Sequence, residues 1–168
     1  MKRDSFKGIP PVKPDQFPAD SVHRGAELLS AHEQNSPDKV VSTFKLFQLW
    51  DPDKVHILDG YFNETLSAAN KSGAFNRFSI LRLDGDTYES TIEGLRILYP
   101  RLSIGGFVII DDYLDWHGAR EATKDYRKHH GIGVGPRRKN ENLVAIYHDT
   151  GKREIPRGVY WQKMHPCC

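Results

Sequence analysis

Apolar runs that stop abruptly at acids dominate the pattern of this chain. From Phe78 to Tyr113 it reads FSILRLDGDTYESTIEGLRILYPRLSIGGFVIIDDY. The run Ser79-Ile80-Leu81-Arg82-Leu83 ends in Asp84-Gly85-Asp86, and an amphipathic segment follows. A second run, Phe107-Val108-Ile109-Ile110, ends in Asp111-Asp112. The pattern predicts strand, helix, strand, with carboxylates at the carboxyl ends of both strands. In an open parallel sheet such ends lie side by side and form the edge where ligands bind.

The rest of the chain extends this alternation. Pro10, Pro11, Pro14 and Pro18 make the leading segment extended loop. Ser21 to Gln34 favours helix. Ser36-Pro37-Asp38 is a helix start, with Ser36 as cap and Val40, Val41, Phe44 and Phe47 on one apolar face running toward Trp50. Val55–Leu58 reads as a short strand, and a short helix from Asn63 stops by Gly73. Strand Phe78–Leu83, a helix from about Tyr88 to Tyr99, strand Phe107–Ile110 and a helix from about Trp116 to His130 follow. Leu143–His148 and Gly158–Trp161 are the last strands, with Tyr160 and Trp161 expected at a buried end. Their short link leaves no room for a crossover helix, so this pair is expected to be antiparallel. The reading is an α/β fold with a mostly parallel sheet and an antiparallel C-terminal hairpin, in a single domain spanning 1–168.

Composition narrows the class. With 168 residues, 38% hydrophobic and 27% charged, the chain has enough apolar content for a packed core. A net charge of +2, spread along the chain, argues against nucleic acid as the main partner. The basic run Gly135-Pro136-Arg137-Arg138-Lys139 reads as a solvated loop. No apolar run approaches the roughly 20 residues of a membrane span, and no signal-peptide core opens the chain. The only cysteines, Cys167 and Cys168, are adjacent and have neither zinc-site nor stapling spacing. A reducing, cytoplasmic setting is the expectation.

The strand-end acids carry the chemistry. Asp84, Asp111 and Asp112 can each cap a following helix. Together they can hold a Mg-type divalent cation, because packing three carboxylates is costly unless a cation or protons relieve the repulsion. Two enzyme classes use such a site. A haloacid-dehalogenase-type phosphotransferase would take Asp84 of Asp84-Gly85-Asp86-Thr87 as nucleophile. Against it, Tyr88 stands where that motif has Thr or Val, and the stretch from Asp84 to Asp111 is too short for its intervening motifs. A metal-dependent O-methyltransferase would use the cation to acidify an acceptor hydroxyl and aim its oxygen at a methyl donor.

Leu81-Arg82-Leu83-Asp84-Gly85-Asp86-Thr87-Tyr88-Glu89-Ser90-Thr91 resembles the LR[ML]DGDxYEST segment of the macrocin O-methyltransferase (TylF-like) family. Leu98 to Tyr113, Asp125-Tyr126-Arg127 and His130-Gly131-Ile132 are similar too. So, more weakly, are Asp4 to Pro10, Asp59 to Leu66 and Gly158 to Trp161. The resemblance implies a class I, Rossmann-like fold and methylation of sugar hydroxyls of natural products, using S-adenosylmethionine and magnesium. It implies Asp84, Asp111 and Asp112 as metal ligands, with Asp84 acting at both the catalytic and the cofactor site. It places Asp4 at the strand end that binds the cofactor ribose and makes His32 a candidate general base. Asp86 and Glu89 would support the ligands or cap the following helix, and Tyr88 would pack. The expected partner is a small-molecule hydroxyl acceptor, with self-association left open. Members of the family begin with one more strand and a glycine-rich loop. This sequence has only Gly8 and Gly25 before residue 60, so it is expected to lack both. A non-catalytic, methyltransferase-like binding protein is the alternative.

Overall fold

The computed structural model describes residues 2–4, 6, 8–22, 36–133, 141–149 and 154–166. Among these residues six strands and four α-helices are laid out in order: β1 Lys2–Asp4, α1 Pro37–Leu46, β2 Ile57–Asp59, α2 Phe62–Lys71, β3 Phe78–Leu83, α3 Tyr88–Leu98, β4 Leu102–Ile110, α4 His117–His129, β5 Val144–Asp149 and β6 Glu154–Gln162. A short 3-10 turn covers Pro18–Val22. The helix expected over residues 21–34 lies largely outside the described residues. No helix among the described residues is long and apolar enough to cross a membrane.

Among the described residues the strands form two separate sheets. β1 and β2 pair in parallel, with Asp4 opposite Asp59. The larger sheet has the order β3-β4-β6-β5. Its β3–β4 pair is parallel, its β4–β6 pair is antiparallel, and its β5–β6 pair is antiparallel as the short last connection requires.

Local chemistry sets the helix ends. The Ser36 hydroxyl accepts from the Lys39 N–H at 3.2 Å, with Pro37 at the first turn. Thr87 caps α3 through the Ser90 N–H, also at 3.2 Å. α4 closes on Gly131 (φ +61°), where the Ile132 N–H reaches the Arg127 carbonyl at 2.8 Å and the Gly131 N–H reaches Lys128 at 3.2 Å. That is a Schellman closure, and glycine meets its left-handed position without strain. β4 starts earlier than the pattern predicts. Gly105 (φ +85°) lets the strand shift register and still exchange backbone hydrogen bonds with Lys163, which follows β6.

One face of the large sheet carries the core. Leu81, Leu83, Val108, Ile110, Val159 and Trp161 pack against Leu66 of α2, Leu95 and Leu98 of α3, and Ala122 and Tyr126 of α4. A Cβ at Gly94 would sit 2.9 Å from Leu83 Cδ2, so α3 lies directly on β3. Trp161 is fully buried as expected, whereas Tyr160 is half-buried on the opposite face. That face is open: Ile80 is 65% exposed, and Phe107 and Val144 are exposed in neighbouring rows.

The two faces should answer differently to truncation. Leu95→Ala removes a fully enclosed side chain and should cost about 2–5 kcal/mol in chemical denaturation. Ile80→Ala should change stability by less than about 0.5 kcal/mol. Equal losses would contradict this assignment of the core.

Candidate active site

Three carboxylates converge where β3 and β4 end. Leu83 lies opposite Ile110, so the chain leaves both strands at the same level. The Asp111 N–H continues the ladder to the Leu83 carbonyl at 3.0 Å. Asp84, Asp86 and Asp112 each present a carboxylate oxygen, all within 4.8 Å of one another. Asp86 reaches this position through a left-handed backbone (φ +53°), which aspartate tolerates better than most residues. Its N–H donates to Asp112 Oδ2 at 3.4 Å, and its carbonyl accepts from the Ala119 N–H at 3.2 Å.

Asp111 faces a different partner. Its Oδ2 accepts from Arg82 Nη2 at 2.5 Å, and the same nitrogen lies 2.9 Å from Asp84 Oδ2. The expected metal-ligand set of Asp84, Asp111 and Asp112 is therefore brought together in part. Asp84 and Asp112 meet, Asp86 joins them, and Asp111 is tied to Arg82. Parallel strands put alternate residues on one face, which places Arg82 and Asp84 together.

The cluster is electrostatically strained. Desolvation first, and then the charges of Asp86 and Asp84, push the half-buried Asp112 carboxyl up to about 8. Three hard oxygen donors held this close, with the Arg82 guanidinium reaching only the rim at Asp84 and Asp111, fit a hard divalent cation such as Mg²⁺.

The other predicted residues fall as follows. Asp4 ends β1 opposite Asp59, with its side chain outside the described residues. His32, the run Gly135–Lys139, Cys167 and Cys168 also lie outside them. Glu89 pairs with Lys13 at 2.7 Å. Tyr88 stacks on Phe17 at 5.6 Å, and its hydroxyl donates to Asp125 at 3.0 Å. Asp86 was legible as a supporting acid but not as a member of the cluster. Its signal was the Asp-Gly-Asp spacing, which leaves the second acid free to turn back. Beside the site, Pro10, Pro11, Lys13, Tyr61, Phe62 and Ser90 line a cavity of about 170 Å³.

A family model described as Macrocin-O-methyltransferase (TylF) matches residues 2–145. Demethyldecarbamoylnovobiocin O-methyltransferase of Streptomyces niveus is 35% identical over 163 residues, which cover 95% of this chain and 53% of that protein. Mycinamicin III 3''-O-methyltransferase of Micromonospora griseorubida is 36% identical over 163 residues, covering 95% and 55%. The solved structure of the O-methyltransferase NovP superposes with a TM-score of 0.77 at 34% identity, over 97% of this chain and 59% of that one. The chain thus spans about half the length of the curated relatives it matches.

The strain on Asp112 gives the metal-free chain a definite pH dependence. The ordinary value for this group is 3.8, and folding raises it to about 8, so the folded state holds the proton more tightly than the unfolded one. That stabilisation is complete below about 4 and is lost as pH rises toward about 8. The melting temperature of the metal-free chain should fall across this window, and Asp112→Asn should flatten the fall. Millimolar Mg²⁺ should raise the melting temperature of the native chain above pH 7 and leave that of Asp112→Asn unchanged. An identical response from both would exclude Asp112 from the cation site.

Proposed function

The chain belongs to the macrocin O-methyltransferase (TylF) family, and from that premise we propose that it acts in S-adenosylmethionine-dependent methylation of a hydroxyl on a small natural product. The observation that carries this reading is the carboxylate cluster of Asp84, Asp86 and Asp112 at the sheet edge where this fold binds ligands. The family assignment sets aside the phosphotransferase reading of Asp84-Gly85-Asp86-Thr87.

In this proposal Asp84, Asp86 and Asp112 hold a Mg-type cation. Asp111, one hydrogen bond away through Arg82, completes the acidic surround. When bound, the cation would acidify the acceptor hydroxyl and S-adenosylmethionine would supply the methyl group. The protein's own residues do the rest. Asp4, at the end of β1, accepts from the ribose hydroxyls, as carboxylates do at the equivalent strand end of dinucleotide folds. His32 is the candidate base that takes the acceptor proton, since a neutral imidazole suits that role near pH 7. The acceptor itself is a sugar hydroxyl or a comparable small-molecule alcohol. Two relatives of the chain, O-methyltransferases named for demethyldecarbamoylnovobiocin and mycinamicin III, support that class.

The open sheet face favours a second reading. With Ile80 65% exposed on strand β3, the chain can bind a partner through that face without catalysing transfer.

Calorimetry and a methyl-transfer assay separate the two. Under the first reading, the chain binds S-adenosylmethionine saturably and transfers its methyl group to a sugar-bearing natural product in the presence of Mg²⁺. Chelation abolishes transfer, and Asp84→Asn lowers kcat/KM by at least the roughly 10- to 100-fold that loss of an outer support costs at metal sites. Absence of cofactor binding, or transfer indifferent to chelator, would refute it.

A further inference from the structure

We propose that Asp20 is a positioning residue for the acid cluster, acting from a segment far away in sequence through the loop that carries Asp84 and Asp86. The role rests on the metal-dependent methyl-transfer reading above. Asp20 is not one of the three clustered acids. It holds the residue that ends their loop.

Asp20 is 4% exposed, which is unusual for a carboxylate. Its Oδ1 accepts from the Tyr88 N–H at 2.6 Å. That N–H opens helix α3, whose first turn leaves several donors without helical partners. Thr87 caps the Ser90 N–H, and Asp20 takes the Tyr88 N–H. Two neighbours on the same segment land on the same turn. Phe17 stacks on the Tyr88 ring, and Lys13 pairs with Glu89.

The start of α4 reaches the same point. A Cβ at Gly118 would collide with Asp20 Oδ1 and come within 2.6 Å of the Tyr88 nitrogen, so this contact requires glycine. The next residue, Ala119, donates its N–H to the Asp86 carbonyl. Asp20 therefore sits between the amino ends of α3 and α4, where two helix dipoles favour a negative charge. Around it the loop is held at both sides. Tyr88 is fixed by Asp20, and Asp86 is fixed by the helix that packs against Asp20. A left-handed Asp86 held this way keeps its carboxylate facing Asp84 and Asp112.

Mn²⁺ binding to the full chain, read by electron paramagnetic resonance, tests this without relying on turnover. Asp20→Ala should weaken Mn²⁺ binding by about 10-fold or more, as loss of an outer support does at metal sites. Asp20→Asn keeps an oxygen for the Tyr88 N–H and should stay within about threefold of the native affinity. Native Mn²⁺ affinity in folded Asp20→Ala, whatever its melting temperature, would overturn the role. If that variant does not fold, Asp20→Ser, whose oxygen falls short of Tyr88, takes its place under the same criterion. A native chain that takes up no Mn²⁺ overturns the metal reading itself, an outcome distinct from a variant that binds as the native chain does.

Discussion

The parallel pairing of β3 with β4 is the constraint on which the rest depends. It brings two chain segments to one sheet edge and ends both in acids. Carboxylates held this close repel one another, and Asp112 shows the cost in its raised affinity for a proton. A fold keeps such an arrangement only if something else over-determines it. Here the core face does. Leu81, Leu83, Val108 and Ile110 are buried under α2, α3 and α4, and one step of register slip would turn that whole set outward.

The loop between β3 and α3 turns this rigidity into chemistry. Gly94 lets α3 lie directly on Leu83, and Gly118 lets α4 reach the amino end of α3. Between them the Asp84–Asp86 loop is too short to relax. Its left-handed residue is an aspartate, so the backbone conformation and the placement of a clustered carboxylate are set together. Arg82 adds the nearby positive charge, bridging Asp84 and Asp111 at the rim. Such a pair, half open to water, stabilises the fold little, but it decides which acids turn toward the cluster.

The family relationship and the architecture meet at the open face. The relatives extend well beyond the region this chain matches. Among the described residues β1–β2 and the four-stranded sheet stand as separate sheets, and β3 is an edge strand with Ile80 exposed. Edge strands with apolar side chains are where other polypeptide packs.

Much of this was determined by the sequence alone. Hydrophobic periodicity marked nearly every strand and helix, Ser36-Pro37 and Gly73 marked helix ends, and the acids after Leu83 and Ile110 marked the site. The TylF-like residues marked the family. These signals are local, because strand alternation, caps and turns act over a few residues. Tertiary structure decided which acids meet. Asp86 joins the cluster and Asp111 turns to Arg82 because of a left-handed backbone and a side-chain pairing that no spacing reveals. It also decided the role of Asp20, whose hydrogen-bond partner Tyr88 lies 68 positions away. Nothing in a proline-rich stretch points to a helix end that distant. Only the packing of α3 and α4, with no side chain at Gly118, creates a place for its charge.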